Sequence, residues 1–142
     1  MKILVSACLL GEKCRYDGRC SDVTNVSEFI KAHDVIGVCP EVAGGLPTPR
    51  LPAEIVGKYV LRNNGDDVTS EFINGAEISL KIAQSQDVDM AILKSKSPSC
   101  GIDTVYDGSF SKTLKAGNGI FAQKLLDIGI PCFTENSLSD KI

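Results

Sequence analysis

Three short apolar runs, ILVSA (3–7), VIGV (35–38) and MAIL (90–93), constrain the fold of this chain more than any other feature. Each is apolar almost throughout rather than at alternate positions, the pattern of a strand covered on both faces. The intervening segments carry helical spacing instead. In NVSEFIKAH (25–33), Val26, Phe29 and Ile30 share one face, and Asn25 or Ser27 can cap it. In DVTSEFINGAEISLKIAQSQ (67–86), Phe72, Ile73, Ala76, Leu80 and Ala83 recur at threes and fours behind Asp67 or Thr69 as a start signal. In GNGIFAQKLLDIG (117–129), Phe121, Leu125 and Ile128 align and Gly129 follows the end. Strands are expected at 2–7, 34–39 and 88–94, with a fourth in IPCFTE (130–135). Strand and helix in alternation predict an α/β fold: a single domain over residues 1–142 built as a three-layer, Rossmann-like open parallel sheet with helices on both faces. Tyr59–Arg62 reads as a short edge strand before the NNGDD turn. GGLPTPRLPAE (44–54) reads as an ordered irregular loop.

A chain of 142 residues can bury a core without staples. Its net charge of -3 argues against a general polyanion binder. No apolar run approaches the ~20 residues that cross a bilayer. Only Ile3–Ala7 separate Lys2 from Cys8, less than the roughly 7–15 apolar residues of a secretory signal, so MKILVSAC is expected to be a first strand and the protein soluble and cytoplasmic. In a reducing compartment structural disulfides are rare, and the six cysteines need another explanation.

Three of them sit where a core residue would not. Cys8 and Cys39 end the first and second strands, and Cys100 lies in the loop after the third. Loops at the carboxyl ends of parallel strands line the crevice where such folds bind ligands, so these cysteines are expected to converge. Their surroundings, CRYDG, CPE and SPSCG, are rich in loop-forming residues whose free backbone N–H groups can stabilise thiolates or inorganic sulfides. Thiolates at a soft site select zinc, copper or an iron–sulfur cluster. Structural zinc favours paired C-x₂-C ligands, which the chain lacks, so scattered single cysteines suit a bulkier cluster and three of them would leave one iron open. Three unligated thiols remain the alternative on spacing alone. A cysteine or serine nucleophile would need a base, and the only histidine, His33, ends the first predicted helix.

Taken together, CLLGEKCRYDG (8–18), CPEVAGGLPTPR (39–50), GDDVTSEFINGA (65–76), ILKSKSPSCG (92–101) and VYDGSF (105–110) resemble, in order, the motifs of the thiouracil desulfidase family, from Lys2 to about Phe133. The resemblance implies an oxygen-sensitive 4Fe-4S cluster held by three cysteines, its fourth iron open to the substrate's sulfur. It implies non-redox desulfidation of 2- or 4-thiouracil to uracil and sulfide, with a small thiolated nucleobase as the partner. Carried onto this chain, the metal ligands are Cys8, Cys39 and Cys100, and Glu41 and Ser97 match the family's proton-handling pair.

Several neighbours carry two readings. Arg15, Tyr16 and Asp17 are candidate substrate-binding residues, although YDG is also a turn signature, as is the second YDG at 106–108. Cys14 is ranked a nearby non-ligand, Cys20 and Cys132 incidental, and Gly44 and Gly45 conformational. Ser95 and Ser99 compete with Ser97. Arg50 and Lys94 offer positive charge to an anion or simply pair at the surface. Two rival functions share the pattern. One is a non-catalytic iron–sulfur or zinc-binding module with every ligand position closed. The other is a desulfidase of thiolated tRNA, against which the acidic balance and the lack of a basic stripe argue.

Overall fold

In the computed structural model, which describes residues 1–21 and 24–138, the four expected strands form one parallel sheet. They are β1 (Lys2–Ser6), β2 (Asp34–Val38), β5 (Met90–Leu93) and β8 (Cys132–Thr134), in the order β2-β1-β5-β8. The three long-range helices are α1 (Thr24–Ile30), α3 (Thr69–Ser85) and α4 (Ile120–Asp127). Residues facing one side of the sheet, Leu4, Val38, Ala91 and Leu93, pack on α3 and α4 through Ala76, Ala83, Phe121 and Leu125. Those facing the other side, Ile3, Val5, Met90 and Ile92, pack with Leu9, Val26 of α1 and Leu138. The central strands β1 and β5 are apolar at successive positions because both their faces are covered, while the edge strands β2 and β8 are only partly buried. Among the described residues no helix is long and apolar enough to cross a membrane.

Register fixes where the loops emerge. Ser6 of β1 pairs with Val38 of β2, and Val5 of β1 pairs with Ile92 of β5. The chain therefore leaves β1, β2 and β5 at neighbouring points on one edge of the sheet. Beyond Ser6 it enters a 3₁₀ turn (Ala7–Leu10), and beyond Val38 a four-residue helix, α2 (Pro40–Ala43).

The structure differs from the sequence expectations in several places. Tyr59–Arg62 is strand β4, but it pairs antiparallel with β3 (Ala53–Val56) in a separate hairpin rather than on the edge of the main sheet. A second hairpin, β6 (Thr104–Tyr106) with β7 (Leu114–Ala116), and the short α2 add to the elements that the sequence predicts. Ile73 and Ile128 are 43% and 45% exposed, so neither belongs to the buried face assigned to it. On α3 that face is made by Phe72, Gly75, Ala76, Ser79 and Ala83.

Gly75 explains the shift. A Cβ there would run into the carbonyl oxygen of Pro40, and one on Gly44 would run into that of Glu71. Backbones of α2 and α3 thus touch directly, and Gly44 is required for this approach rather than for a left-handed turn, since its φ is -78°. The contact fixes α2, which follows Cys39 and carries Glu41. Gly75→Ala is expected to destabilise the protein by about 1–3 kcal/mol through overpacking, read as a lower denaturant midpoint at unchanged slope.

Candidate functional site

Cys8, Cys39 and Cys100 line one cleft of about 450 Å³ at the edge where β1, β2 and β5 end. Each is placed by a different local device. Cys8 lies in the 3₁₀ turn, and its carbonyl accepts the Ser21 N–H at 2.7 Å. Cys39 precedes α2 and its carbonyl accepts the first helical bond, from Ala43, at 2.9 Å. Cys100 sits in a turn capped by Ser97, whose Oγ accepts the N–H groups of Ser99 and Cys100, both at 3.1 Å. That turn is docked on the start of α4. The N–H groups of Gly119, Ile120 and Ala122 donate to the carbonyls of Gly101, Pro98 and Ser99 at 2.8, 2.9 and 3.0 Å, satisfying donors a helix start leaves open.

Cys14 also lines the cleft, hydrogen-bonded through its side chain to both Cys39 and Cys8. The bond with Cys39 lowers its pKa, but the bond with Cys8 and burial outweigh it and push the thiol up to about 11. Cys39 is raised by its bond with Cys14, by burial and by the charge of Glu41. Burial, then Glu41, push Cys100 up to about 12 against hydrogen bonds from Ser6 and Ser99. Without a cation these sulfurs stay protonated; a bound metal reverses that preference. Among the described residues no three His, Cys, Asp or Glu side chains stand close enough to hold a single metal ion. A soft donor set spread around one cleft fits a polynuclear group better than a lone ion. Cys132 lies outside the cleft, its thiol donating to the Ile130 carbonyl at 3.4 Å, and Cys20 is not among the lining residues.

Glu41 reaches the same space with both oxygens engaged. Oε2 accepts from Arg50 at 2.6 Å, and Oε1 accepts from Ser99 Oγ at 2.9 Å and, more distantly, from Ser97 Oγ at 3.4 Å. Arg50 is no surface residue: its side chain is 4% exposed, and it also donates to the Cys14 carbonyl at 3.0 Å. Lys94, the other candidate cation, pairs at 3.0 Å with Glu135, a buried carboxylate at the end of β8. Glu135 further accepts from the Ser95 N–H at 2.8 Å and the Ser95 hydroxyl at 3.0 Å, pinning the start of the loop that leads to Cys100.

Of the predicted substrate-binding residues, Arg15 and Tyr16 line the cleft and Asp17 does not. Asp17 pairs with Arg15 at 3.4 Å and caps the Arg19 N–H at 3.0 Å, the turn role that its YDG context also allows. In the second YDG, Asp107 accepts from Ser109, while Tyr106 lines the cleft. The fold also assembles what the linear sequence hides. Arg15, Arg62, Lys94, Lys96 and Lys112, from four separate segments, line a cleft in an acidic protein. Arg50 and Ser99, each carrying two readings in the sequence, both engage Glu41, whereas Glu135 is not singled out there because its role is a long-range contact without a local signature.

The chain is similar to known proteins over nearly its whole length. The family model described as 2-thiouracil desulfurase matches residues 3–137. YbbK, an uncharacterised protein of Bacillus subtilis strain 168, is 36% identical over 148 aligned residues, which span 97% of this chain and 98% of YbbK. A solved structure described as the 4Fe-4S-dependent thiouracil desulfidase TudS (DUF523Vcz) superposes with a TM-score of 0.91 at 45% identity, covering 98% of this chain and 93% of that one.

Glu135 makes the loop anchor pH-dependent. Burial opposes its ionisation, but the Lys94 ammonium and the Ser95 donors outweigh burial and hold its pKa below the ordinary carboxylate value. A depressed folded pKa means the stabilisation is present above the unfolded value and is lost as pH falls through the folded one. Glu135→Gln is therefore expected to destabilise the protein by about 1–3 kcal/mol at neutral pH. The difference from wild type should begin to narrow as pH falls through the ordinary carboxylate range and close only below the depressed pKa of Glu135, as measured by denaturant unfolding across pH.

Proposed function

The chain belongs to the 2-thiouracil desulfurase family, and from that premise we propose that it removes sulfur from thiolated uracil by a cluster-dependent, non-redox hydrolysis giving uracil and sulfide. The observation that carries the reading is the meeting of Cys8, Cys39 and Cys100, from three strand ends, on one cleft beside Glu41. In this reading those three thiolates hold a 4Fe-4S cluster, as the cofactor named for the similar solved structure supports. The group supplies a soft Lewis-acid iron for a thiocarbonyl sulfur. Cys14 stays outside the ligand set.

The chain's own residues then divide the remaining work. Glu41 handles the proton of the attacking water, its carboxylate oriented by Arg50 at Oε2 and by Ser99 and, more distantly, Ser97 at Oε1. Ser97 Oγ already accepts two backbone N–H groups, so its own proton is what it has to offer, to Glu41 or to the pyrimidine ring. Tyr16 presents a half-exposed ring along the wall for the base to lie against, and Arg15, held by Asp17, adds positive charge. The basic wall favours the anion that forms as sulfide departs. The same wall is the one observation favouring a second reading, desulfidation of a thiolated tRNA.

Anaerobically reconstituted protein is expected to bind about four irons and to release sulfide and uracil from 2- or 4-thiouracil. Sulfide from thiolated tRNA alone would install the second reading, and a loaded protein silent on all of these would remove both. Cys100→Ala is expected to lose the iron while Cys14→Ala keeps it; the opposite pattern would reassign the ligands. Glu41→Gln should retain its iron and lose about 10²–10⁴-fold in kcat.

A further inference from the structure

Building on the assignment of Glu41 and Cys100 above, we propose that Ser99 is a positioning residue that fixes Glu41 against the sulfur of Cys100 through one shared hydroxyl. Ser99 is 1% exposed, and its Oγ donates to Glu41 Oε1 at 2.9 Å while standing 3.6 Å from Cys100 Sγ. Arg50 alone cannot set the carboxylate. Beyond Arg50 at Oε2, only the longer contact from Ser97 at 3.4 Å reaches Oε1, which leaves the group loose about its terminal torsion with its broad energy profile. Ser99 closes that freedom at the other oxygen.

Ser99 can do this because it is itself immobile. Its N–H donates to Ser97 Oγ at 3.1 Å and its carbonyl accepts the Ala122 N–H of α4 at 3.0 Å. Gly119 packs against its backbone so closely that a Cβ there would overlap it. The result is a rigid arm from the α4 start to Glu41. Misplacing a catalytic group by about 1 Å can cost on the order of 10²-fold in rate. The hydroxyl has a single proton, aimed at Glu41 by the shorter distance, with the sulfur as the weaker acceptor of a three-centre bond. Hydrogen bonds to ligand sulfurs influence a cluster's reduction potential, so the sulfur arm has a readout independent of turnover.

The test compares wild type, Ser99→Ala and Ser99→Thr, each reconstituted anaerobically, by iron content, cluster reduction potential, and kcat and KM on thiouracil. Ser99→Ala is expected to hold wild-type iron, to lose about 10–100-fold in kcat with KM within about threefold, and to shift its potential negative. Ser99→Thr, which keeps the hydroxyl, should restore the potential and most of kcat. A loaded Ser99→Ala with wild-type kcat and potential overturns the proposal. So does loss of iron in that variant, which would make Ser99 a scaffold of the ligand loop, or a kcat loss with unchanged potential that threonine does not repair. Failure of the wild type itself to load iron or release sulfide would count against the proposed function instead.

Discussion

The pairing of β1 with both β2 and β5 is the constraint on which the rest depends. Parallel strands in register deliver their carboxyl ends to one edge, and β1 lies between the other two. Ser6, Val38 and Leu93, the last strand residues, are followed by the loops that carry Cys8, Cys39 and Cys100. A one-residue slip of a strand would exchange its two faces, and both faces are buried in separate apolar clusters, so the register is strongly specified. Hydrophobic packing thereby sets the position of polar chemistry at the sheet edge.

The loops themselves are held by directional contacts rather than by apolar burial. Glycine lets α2 and α3 meet backbone to backbone, which places Cys39 and Glu41. The start of α4 clamps the turn around Cys100, and Glu135 with Lys94 anchors its approach. Arg50 ties Glu41 to the Cys14 carbonyl in a nearly solvent-free pair. Desolvating such a pair offsets much of its Coulombic gain, so its contribution is orientation more than stability. Each device reduces motion at one wall of the cleft, which is the preorganisation that electrostatic catalysis requires.

Much of this was legible in the sequence, for physical reasons that differ by element. The central strands β1 and β5 showed themselves because full burial leaves no polar alternation, the half-buried edge strand β2 because it is apolar all the same, and α3 because its length repeats the helical period. The strand-end cysteines stood out against the apolar runs they follow. Four-residue α2 and the three-residue strands β6 and β7 are too short to establish a period, and Leu114 and Lys115 of β7 face solvent. Ile73 and Ile128 misled because apolar residues also occupy surfaces. The ion pair of Arg50 with Glu41 crosses an irregular loop, where residue spacing says nothing about distance. Asp17 carries the same YDG signature whether it faces a ligand or caps a turn, and here it caps the turn.

The central claim is that three thiolates from three strand ends share one iron–sulfur cluster and leave an iron without a protein ligand. Anomalous scattering at the iron edge, from crystals of the anaerobically reconstituted protein, tests it most directly. The account predicts one compact iron peak in the cleft, contacted by the sulfurs of Cys8, Cys39 and Cys100 and by no fourth side chain. A peak elsewhere, or one closed by the sulfur of Cys14 as a fourth ligand, would contradict it.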